Sequence, residues 1–435
     1  MNLLLIELNE INFDVVESYI KKGAHLPNLK KIISKNFINT FSEKEYKNLE
    51  PWIQWPTIHT GKSFSEHNIF RLGDIVNNND SQLFEDIENA GFKVGAISPM
   101  NARNSLKKPS YFIPDPWTNT PSDKSFISKN LSKTISQVVN DNASSRLSLK
   151  SLLILFFSIF YFVRITKLLK FFLAAVTSFF KPWRKSIFLD LLLHEIHLKK
   201  IKKFKPNFST IFFNSGAHIQ HHYFLNAKIL KTLGSNPNWY ISKDEDPILD
   251  MLKYYDEIIS DLNGLEKYEL LIATGLSQKP TNEAQFYYRL SEHKNFLNRL
   301  EIPFKEVFPR MSRDFLITFE SEDLAKKGKE ILSSIKVNEK EALFGILDLK
   351  QNELFVTLTY SKEILDSHVF NYKNKKDSLK PFISFVAIKN GEHQSKGFAY
   401  FSDKLSKIAP KKSCHISDIY KTILNFFEIK LHSNS

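Results

Sequence analysis

Short apolar runs that end in polar residues recur along this chain, and they constrain its fold more than any other feature. The run LLLIEL at 3–8 is followed by Asn9 and Glu10, and FSTIFF at 208–213 by Asn214 and then SGAHIQHH. The run ELLIAT at 269–274 leads into Gly275, Leu276, Ser277 and Gln278, and FISFVAI at 382–388 leads into KNGEH, with Glu392 and His393. Runs of this length, rich in Leu, Ile and Phe, read as buried strands. Between them lie segments of helical period at 13–22, 83–90 (stopped by Gly91), 247–262 and 416–427.

Strand–helix alternation predicts an α/β fold: a mostly parallel central sheet with helices on both faces. Residues 1–103, 206–280 and 376–435 are the expected pieces of this core. Residues 104–205 are an insertion with basic amphipathic helices, and 281–375 a smaller mixed α/β cap. Residues 104–150, rich in Ser, Asn and Pro without a clear period, read as a connecting or lid-like stretch. The one cysteine, Cys414, excludes an internal disulfide.

The net charge of +13 is concentrated in one place. Residues 150–205 hold 12 Lys and Arg against two acids, Asp190 and Glu195, while the rest of the chain is close to neutral. That argues against a nucleic-acid partner and for one basic element with its own partner. Its apolar runs, SLLILFFSIFYFV at 151–163 and FFLAAVTSFF at 171–180, are broken by Arg164, Lys167 and Lys170. Each is shorter than the roughly 18–20 residues of a spanning helix. Apolar runs bordered by cations are typical of helices lying in a membrane interface, so an anionic membrane surface is the expected partner of residues 151–205. The opening MNLLLIELNE lacks the basic region and cleavage site of a secretory signal. The expected location is cytoplasmic, peripheral on the inner face of the membrane.

In open α/β sheets, ligands bind beyond the carboxyl ends of the strands. The polar residues after the apolar runs therefore form one candidate site. Glu7, Glu10 and Glu50 are the candidate catalytic carboxylates, since desolvation at a strand end raises a carboxyl pKa toward working pH. Trp52, Gln54 and Trp55, in LEPWIQWPTIHTG, offer indole faces and an amide to a sugar or a base. Asn9, Asn214 and Gln278 add hydrogen-bonding groups, and Arg103 a guanidinium fork for a phosphate. His218 and His222, spaced i,i+4, share a helix face as paired metal ligands do.

The order of motifs resembles the alkaline-phosphatase superfamily, in particular its nucleotide pyrophosphatase/phosphodiesterase branch. Glu7 ends the first strand where the branch has an acidic ligand, and LPNLKKI matches its helix start. TGKSFSEHNI carries its TG-x5-H-x-I pattern in Thr60, Gly61, His67 and Ile69. Asn214 and His218 stand in its D-x3-H pair, and Gly391 and His393 in its G-x-H. The resemblance adds Thr60 and His67 to the substrate-binding candidates and His393 to the metal candidates. The departures fall on the chemistry: Pro51, beside Glu50, stands at the nucleophile position, and Gly275 and Leu276 replace two ligands of the second metal. One divalent metal on His218, His393 and Glu7 or His222, or a metal-free polar pocket, is what remains.

The expected function is an enzyme acting on a phosphate-linked sugar, either a nucleotide sugar or a lipid-linked sugar, at the cytosolic membrane face. Glycosyl or phosphoglycosyl transfer in surface-polysaccharide assembly is the first reading. The alternatives are a metal-dependent phosphodiesterase or phosphatase using Thr57 or Thr60 as a shifted nucleophile, and a non-catalytic binding protein on the same fold.

Overall fold

Leu3–Leu8 forms strand β1, and all six of its residues are buried. A strand hidden on both faces needs a neighbour on each edge and a helical layer on each side. The sheet around it comprises β2 (Phe37–Phe41), β3 (Val94–Ile97), β4 (Tyr111–Ile113), β5 (Phe208–Phe213), β6 (Glu269–Ala273), β7 (Lys396–Phe401) and β8 (Cys414–His415). Their order is β8-β2-β7-β6-β1-β5-β3-β4. β1 pairs in parallel with β5 and β6, and β3 in parallel with β4 and β5. β7 runs antiparallel between β6 and β2. The sheet is thus mostly parallel, as the alternating pattern predicts. The structure, a computed structural model, describes residues 1–140, 148–230, 234–310, 313–373 and 375–430; residues 141–147 of the expected lid-like stretch fall outside these.

The helices that matter below are α1 (Pro51–Thr60), α2 (Leu149–Phe162), α3 (Leu168–Thr177), α4 (Arg184–Phe204), α5 (Ser215–Tyr223), α6 (Pro247–Asn263) and α7 (Asp418–Phe426). α1 starts on Pro51, whose missing N–H costs nothing in the first turn. Pro56 lies inside α1 and cannot donate to the Trp52 carbonyl; Asn101 Nδ2 donates to that oxygen instead, at 2.7 Å. Gly61 ends the helix with φ +70°, and a Cβ there would lie 2.4 Å from the Tyr420 ring. Only glycine fits both demands. α1 and α7 pack with Leu3, Leu5, Phe84, Phe208 and Phe212 in one continuous apolar core.

The lid-like stretch is more regular than its composition suggests, because Phe126–Asn140 is a helix. Its buried positions are Ser128, Leu131, Thr134 and Ile135, so hydroxyls mask the apolar period. The chain divides into two compact units. One holds 1–231, 244–280 and 391–435; the other holds 232–243 and 281–390. The second unit contains the strands Glu306–Pro309, Asp314–Thr318, Phe344–Lys350 and Glu353–Leu358 in one antiparallel sheet, with its own core around Phe296, Phe315 and Phe344.

The strongly basic stretch is tied down by acids. Arg164 pairs with Glu195 of α4 at 2.5 Å and with Asp261 of α6 at 2.6 Å. Arg184 forms a two-pronged pair with Asp250 of α6, at 2.7 and 2.8 Å. Lys170 pairs with Glu257 of α6, and Lys181 with Glu245 at 2.8 Å. Much of the expected surface charge is thereby directed inward.

His197 of α4 is fully buried, with Nε2 2.9 Å from the Ser209 hydroxyl. Burial, helped by the neighbouring His194, lowers its pKa to about 3. The unfolded chain takes up this proton near pH 6.5, so the stabilisation is complete above that value and is lost as pH falls toward 3. Urea unfolding at pH 7 and pH 4.5 is expected to show a His197→Gln variant losing about 2–3 kcal/mol less than the parent between the two conditions. Equal losses would show that His197 does not carry this acid sensitivity.

Candidate functional site

β1, β5 and β6 are parallel, so their carboxyl ends share one edge of the sheet, and the site is built there. The residues just past β1 come first. Glu10 has φ +60°, a left-handed conformation that costs a non-glycine residue about 1–3 kcal/mol. It is held on both sides: its N–H donates to the Thr274 carbonyl at 3.1 Å, and its own carbonyl accepts from Gln220 Nε2 at 2.7 Å. The twist turns the carboxylate inward, where it is 2% exposed.

Two imidazoles meet that carboxylate. His221 comes from α5, which follows β5. His393 comes from the strand Ile383–Gln394, which delivers the chain to β7. Because β7 runs antiparallel to β6, it begins at the edge where the parallel strands end. Glu10 Oε2 lies 3.0 Å from His393 Nε2 and 3.2 Å from His221 Nε2, and the two Nε2 atoms are 3.2 Å apart. Gln278 Nε2 donates to the same carboxylate oxygen at 2.5 Å, and Asn9 Nδ2 to the other at 3.2 Å. Burial alone would raise the Glu10 pKa; the two imidazoles outweigh it and hold the carboxyl well below its usual range.

The other ring nitrogens face oxygen atoms. His221 Nδ1 lies 3.3 Å from the Gly391 carbonyl, which can only accept, and His393 Nδ1 faces a Glu50 carboxylate oxygen at 3.5 Å. With a proton on each Nδ1, both Nε2 atoms present lone pairs toward Glu10 Oε2. The three atoms can share a cation: a metal ion, or protons on the imidazoles, whose positive charge is what holds the Glu10 carboxyl below its usual range. A tetrahedral ion with ligands at about 2 Å separates them by about 3.3 Å, close to the spacing here. The two-imidazole, one-carboxylate donor set, with its Nδ1 atoms held by outer oxygens, is that of a single-metal site. Side-chain exposures of 17% for His221 and 10% for His393 leave it reachable from solvent. Glu50, 31% exposed, stands at the N-cap position of α1 at its rim, without a side-chain hydrogen bond to the helix amides.

The remaining candidates divide by what they touch. Asn9 links the cluster to its surroundings, donating to Asn214 Oδ1 at 2.8 Å and accepting from Trp55 Nε1 at 2.8 Å. Asn214 caps α5, whose first amides are gripped by Asp190 of α4 at 3.2 and 2.8 Å. Burial raises the Asp190 pKa to about 6 against these hydrogen bonds. No strand-end motif points to Asp190, which comes from a helix far along the chain.

Glu7 does not join the cluster. It sits fully buried, bonded to the Thr210 hydroxyl at 2.6 Å and to His59 Nε2 at 3.2 Å. Trp55 and Gln54 are also fully buried, and Gln54 Nε2 donates to the Asn48 carbonyl. Trp55 therefore offers no face to a sugar, while Trp52, partly exposed, has its Nε1 taken by the Phe70 carbonyl. The Thr57 and Thr60 hydroxyls donate back into α1, to Ile53 and Pro56, and His67 Nε2 meets Thr57 at 3.0 Å. The Arg103 fork is used by the carbonyls of Asn78 and Asp80 and by Ser105 Oγ, not left for a phosphate. His218 and His222 face each other, with ring centres 4.8 Å apart, and are not the imidazoles that meet Glu10. His221, between them, takes that role. A second metal-like group, His194, Glu195 and Asp261, is filled by the Arg164 guanidinium.

No protein-family model matches the chain, and no curated protein matches it. Among solved structures, it is similar to a phosphonoacetate hydrolase from Sinorhizobium meliloti 1021, at 10% identity and a TM-score of 0.44, covering 97% of this chain and 95% of that one. It is also similar to murine ectonucleotide pyrophosphatase/phosphodiesterase 5, at 10% identity and a TM-score of 0.42, covering 100% and 97%. The alkaline phosphatase of the Antarctic bacterium TAB5 matches at 9% identity and a TM-score of 0.43, covering 99% of each chain.

The cluster geometry predicts about one Zn²⁺ or Mn²⁺ per chain in equilibrium dialysis followed by elemental analysis. Glu10→Gln and His221→Ala are expected to lower affinity about 100-fold or more, and His218→Ala and His222→Ala to leave it within a few-fold. Loss in His218→Ala with retention in His221→Ala would reverse the ligand assignment.

Proposed function

We propose that the chain is a hydrolase of phosphate esters that uses water directly, with no covalent phospho-enzyme. The observation that carries this is the convergence of Glu10, His221 and His393 at a solvent-reachable sheet edge, with the candidate hydroxyls of Thr57 and Thr60 bonded elsewhere. Pro51 stands where the related pattern has its nucleophile, and the Thr57 and Thr60 hydroxyls are spent on helix carbonyls. Both threonines are buried as well, so direct attack by water is better supported than a shifted threonine nucleophile. The phosphate class rests on the sequence motifs that resemble the alkaline-phosphatase superfamily.

The residues divide the work. Glu10 supplies a fixed negative charge in a water-poor place, where its electrostatic effect is large. His221 and His393 orient their Nε2 lone pairs, and Gln278 and Asn9 fix the carboxylate that faces them. A metal ion held by these three donors would supply positive charge for a phosphoryl oxygen and for the attacking water. Glu50 reaches solvent at the rim and is the group that takes the proton from that water. Its place at the amino end of α1 puts it at the rim of the cluster, 3.5 Å from His393 Nδ1. Since Trp55 and Gln54 are buried, support for sugar-phosphate transfer is weaker than for hydrolysis.

Hydrolysis of bis-p-nitrophenyl phosphate in the presence of Zn²⁺ or Mn²⁺ tests the reading. Glu50→Gln is expected to keep its metal and lose about 100-fold or more in kcat, while Thr57→Ala and Thr60→Ala stay within a few-fold of the parent. Activity that survives Glu50→Gln and disappears in Thr57→Ala would overturn it.

A further inference from the structure

α2 is built inside out. Leu149, Leu152, Leu153, Phe156, Phe157 and Phe160 follow the i, i+3, i+4, i+7, i+8, i+11 spacing of one helix face, and every one of them is exposed, between 47% and 74%. The buried positions include Ser151 and Ser158. A helix of a water-facing surface shows the opposite arrangement, with its apolar stripe toward the core. α3 is apolar on both faces: Leu169, Phe172 and Leu173 are exposed, and Phe171 and Ala174 are buried. Phe179 and Phe180, just beyond it, are more than 80% exposed. Contiguous exposed apolar surface of this extent marks a place where something else covers the protein.

We infer that this face lies on an anionic lipid bilayer, entering its interface without crossing it. Three observations select that occupant. First, the stripes contain no polar side-chain atom, whereas a protein–protein interface carries about one hydrogen bond per 100–200 Å². Second, residues 142–189 contain no Asp or Glu at all, and Lys150 and Lys185 are exposed at the two ends of the apolar segment. A second copy docked face to face would bring cation against cation; anionic headgroups complement them. Third, no single described helix is long and apolar enough to cross a membrane; the two reach that length and apolarity only as a pair, and the pair is bent by 115° at the break between them. Helices of 14 and 10 residues measure about 21 and 15 Å, well short of a hydrocarbon core of about 30 Å.

The mount is rigid. Arg164, at the bend, is clamped by Glu195 and Asp261, and Lys170 is paired with Glu257. These cations fix the helices to α4 and α6, leaving Lys150 and Lys185 for the headgroups. The inference is independent of the chemistry at the sheet edge.

Flotation of the full chain with vesicles tests it, using phosphatidylcholine alone and phosphatidylcholine mixed with phosphatidylglycerol. Stronger binding to the anionic vesicles is expected, with the difference narrowing as salt rises. Phe156→Asp with Phe172→Asp, both at exposed positions, is expected to weaken binding about tenfold or more with an unchanged circular-dichroism spectrum and unfolding midpoint. Lys150→Glu with Lys185→Glu is expected to remove the preference for anionic vesicles. Unchanged binding by the Phe variant would overturn the inference. So would a protein that ignores both vesicles and is a dimer in light scattering that the Phe variant splits.

Discussion

A carboxylate that is only 2% exposed keeps its charge only if its surroundings replace the water it has lost, and Glu10 is in that position. Removing such an ion from water costs several kcal/mol. Here the charge and hydrogen bonds of the His393 and His221 imidazoles outweigh the loss and leave the carboxyl easier to ionise than in water, and the Gln278 and Asn9 amides bond to it as well. The left-handed backbone at Glu10 adds strain, and the contacts from Thr274 and Gln220 hold it. Each partner comes from a different part of the chain. Forming this one ion therefore requires β1, β6, α5 and the strand before β7 to be in place together.

The sheet explains why such distant residues meet. Three parallel strands release their chains at one edge, and one antiparallel strand takes up its chain at that same edge. The opposing demands on the two acids of β1 and its end are instructive. Glu7 lies within the strand and is enclosed against Thr210 and His59. Glu10, past the last ladder pair, can turn toward incoming loops. Position relative to the strand end decides which carboxylate reaches solvent-accessible partners.

Much of the fold is legible in the sequence because periodicity survives tertiary context. LLLIEL and FINTF occupy the expected strands, and the 247–262 helix extends by one residue. The helix at 126–140 escapes notice because its inner positions include Ser128 and Thr134. The site is legible as a place but only partly as a set of atoms. Glu10, Glu50 and His393 could be named from strand ends and motifs, whereas the imidazole from α5 could not. The spacing of His218 and His222 shows that they share a face but not which face turns toward β1; His221 does. Trp52, Trp55 and Arg103 carry suitable chemistry, yet Trp52 and Arg103 donate to carbonyls of nearby loops and Trp55 is buried with its Nε1 on Asn9 Oδ1. A local window contains no sign of such competition.

The account stands on three donor atoms from Glu10, His221 and His393 holding one cation at the carboxyl edge of the sheet. Anomalous diffraction at the zinc edge, from crystals grown with Zn²⁺, tests this most directly. The predicted result is a single strong peak about 2 Å from Glu10 Oε2, His221 Nε2 and His393 Nε2. A peak between His218 and His222 with none beside Glu10, or no peak at all at full zinc saturation, would contradict it.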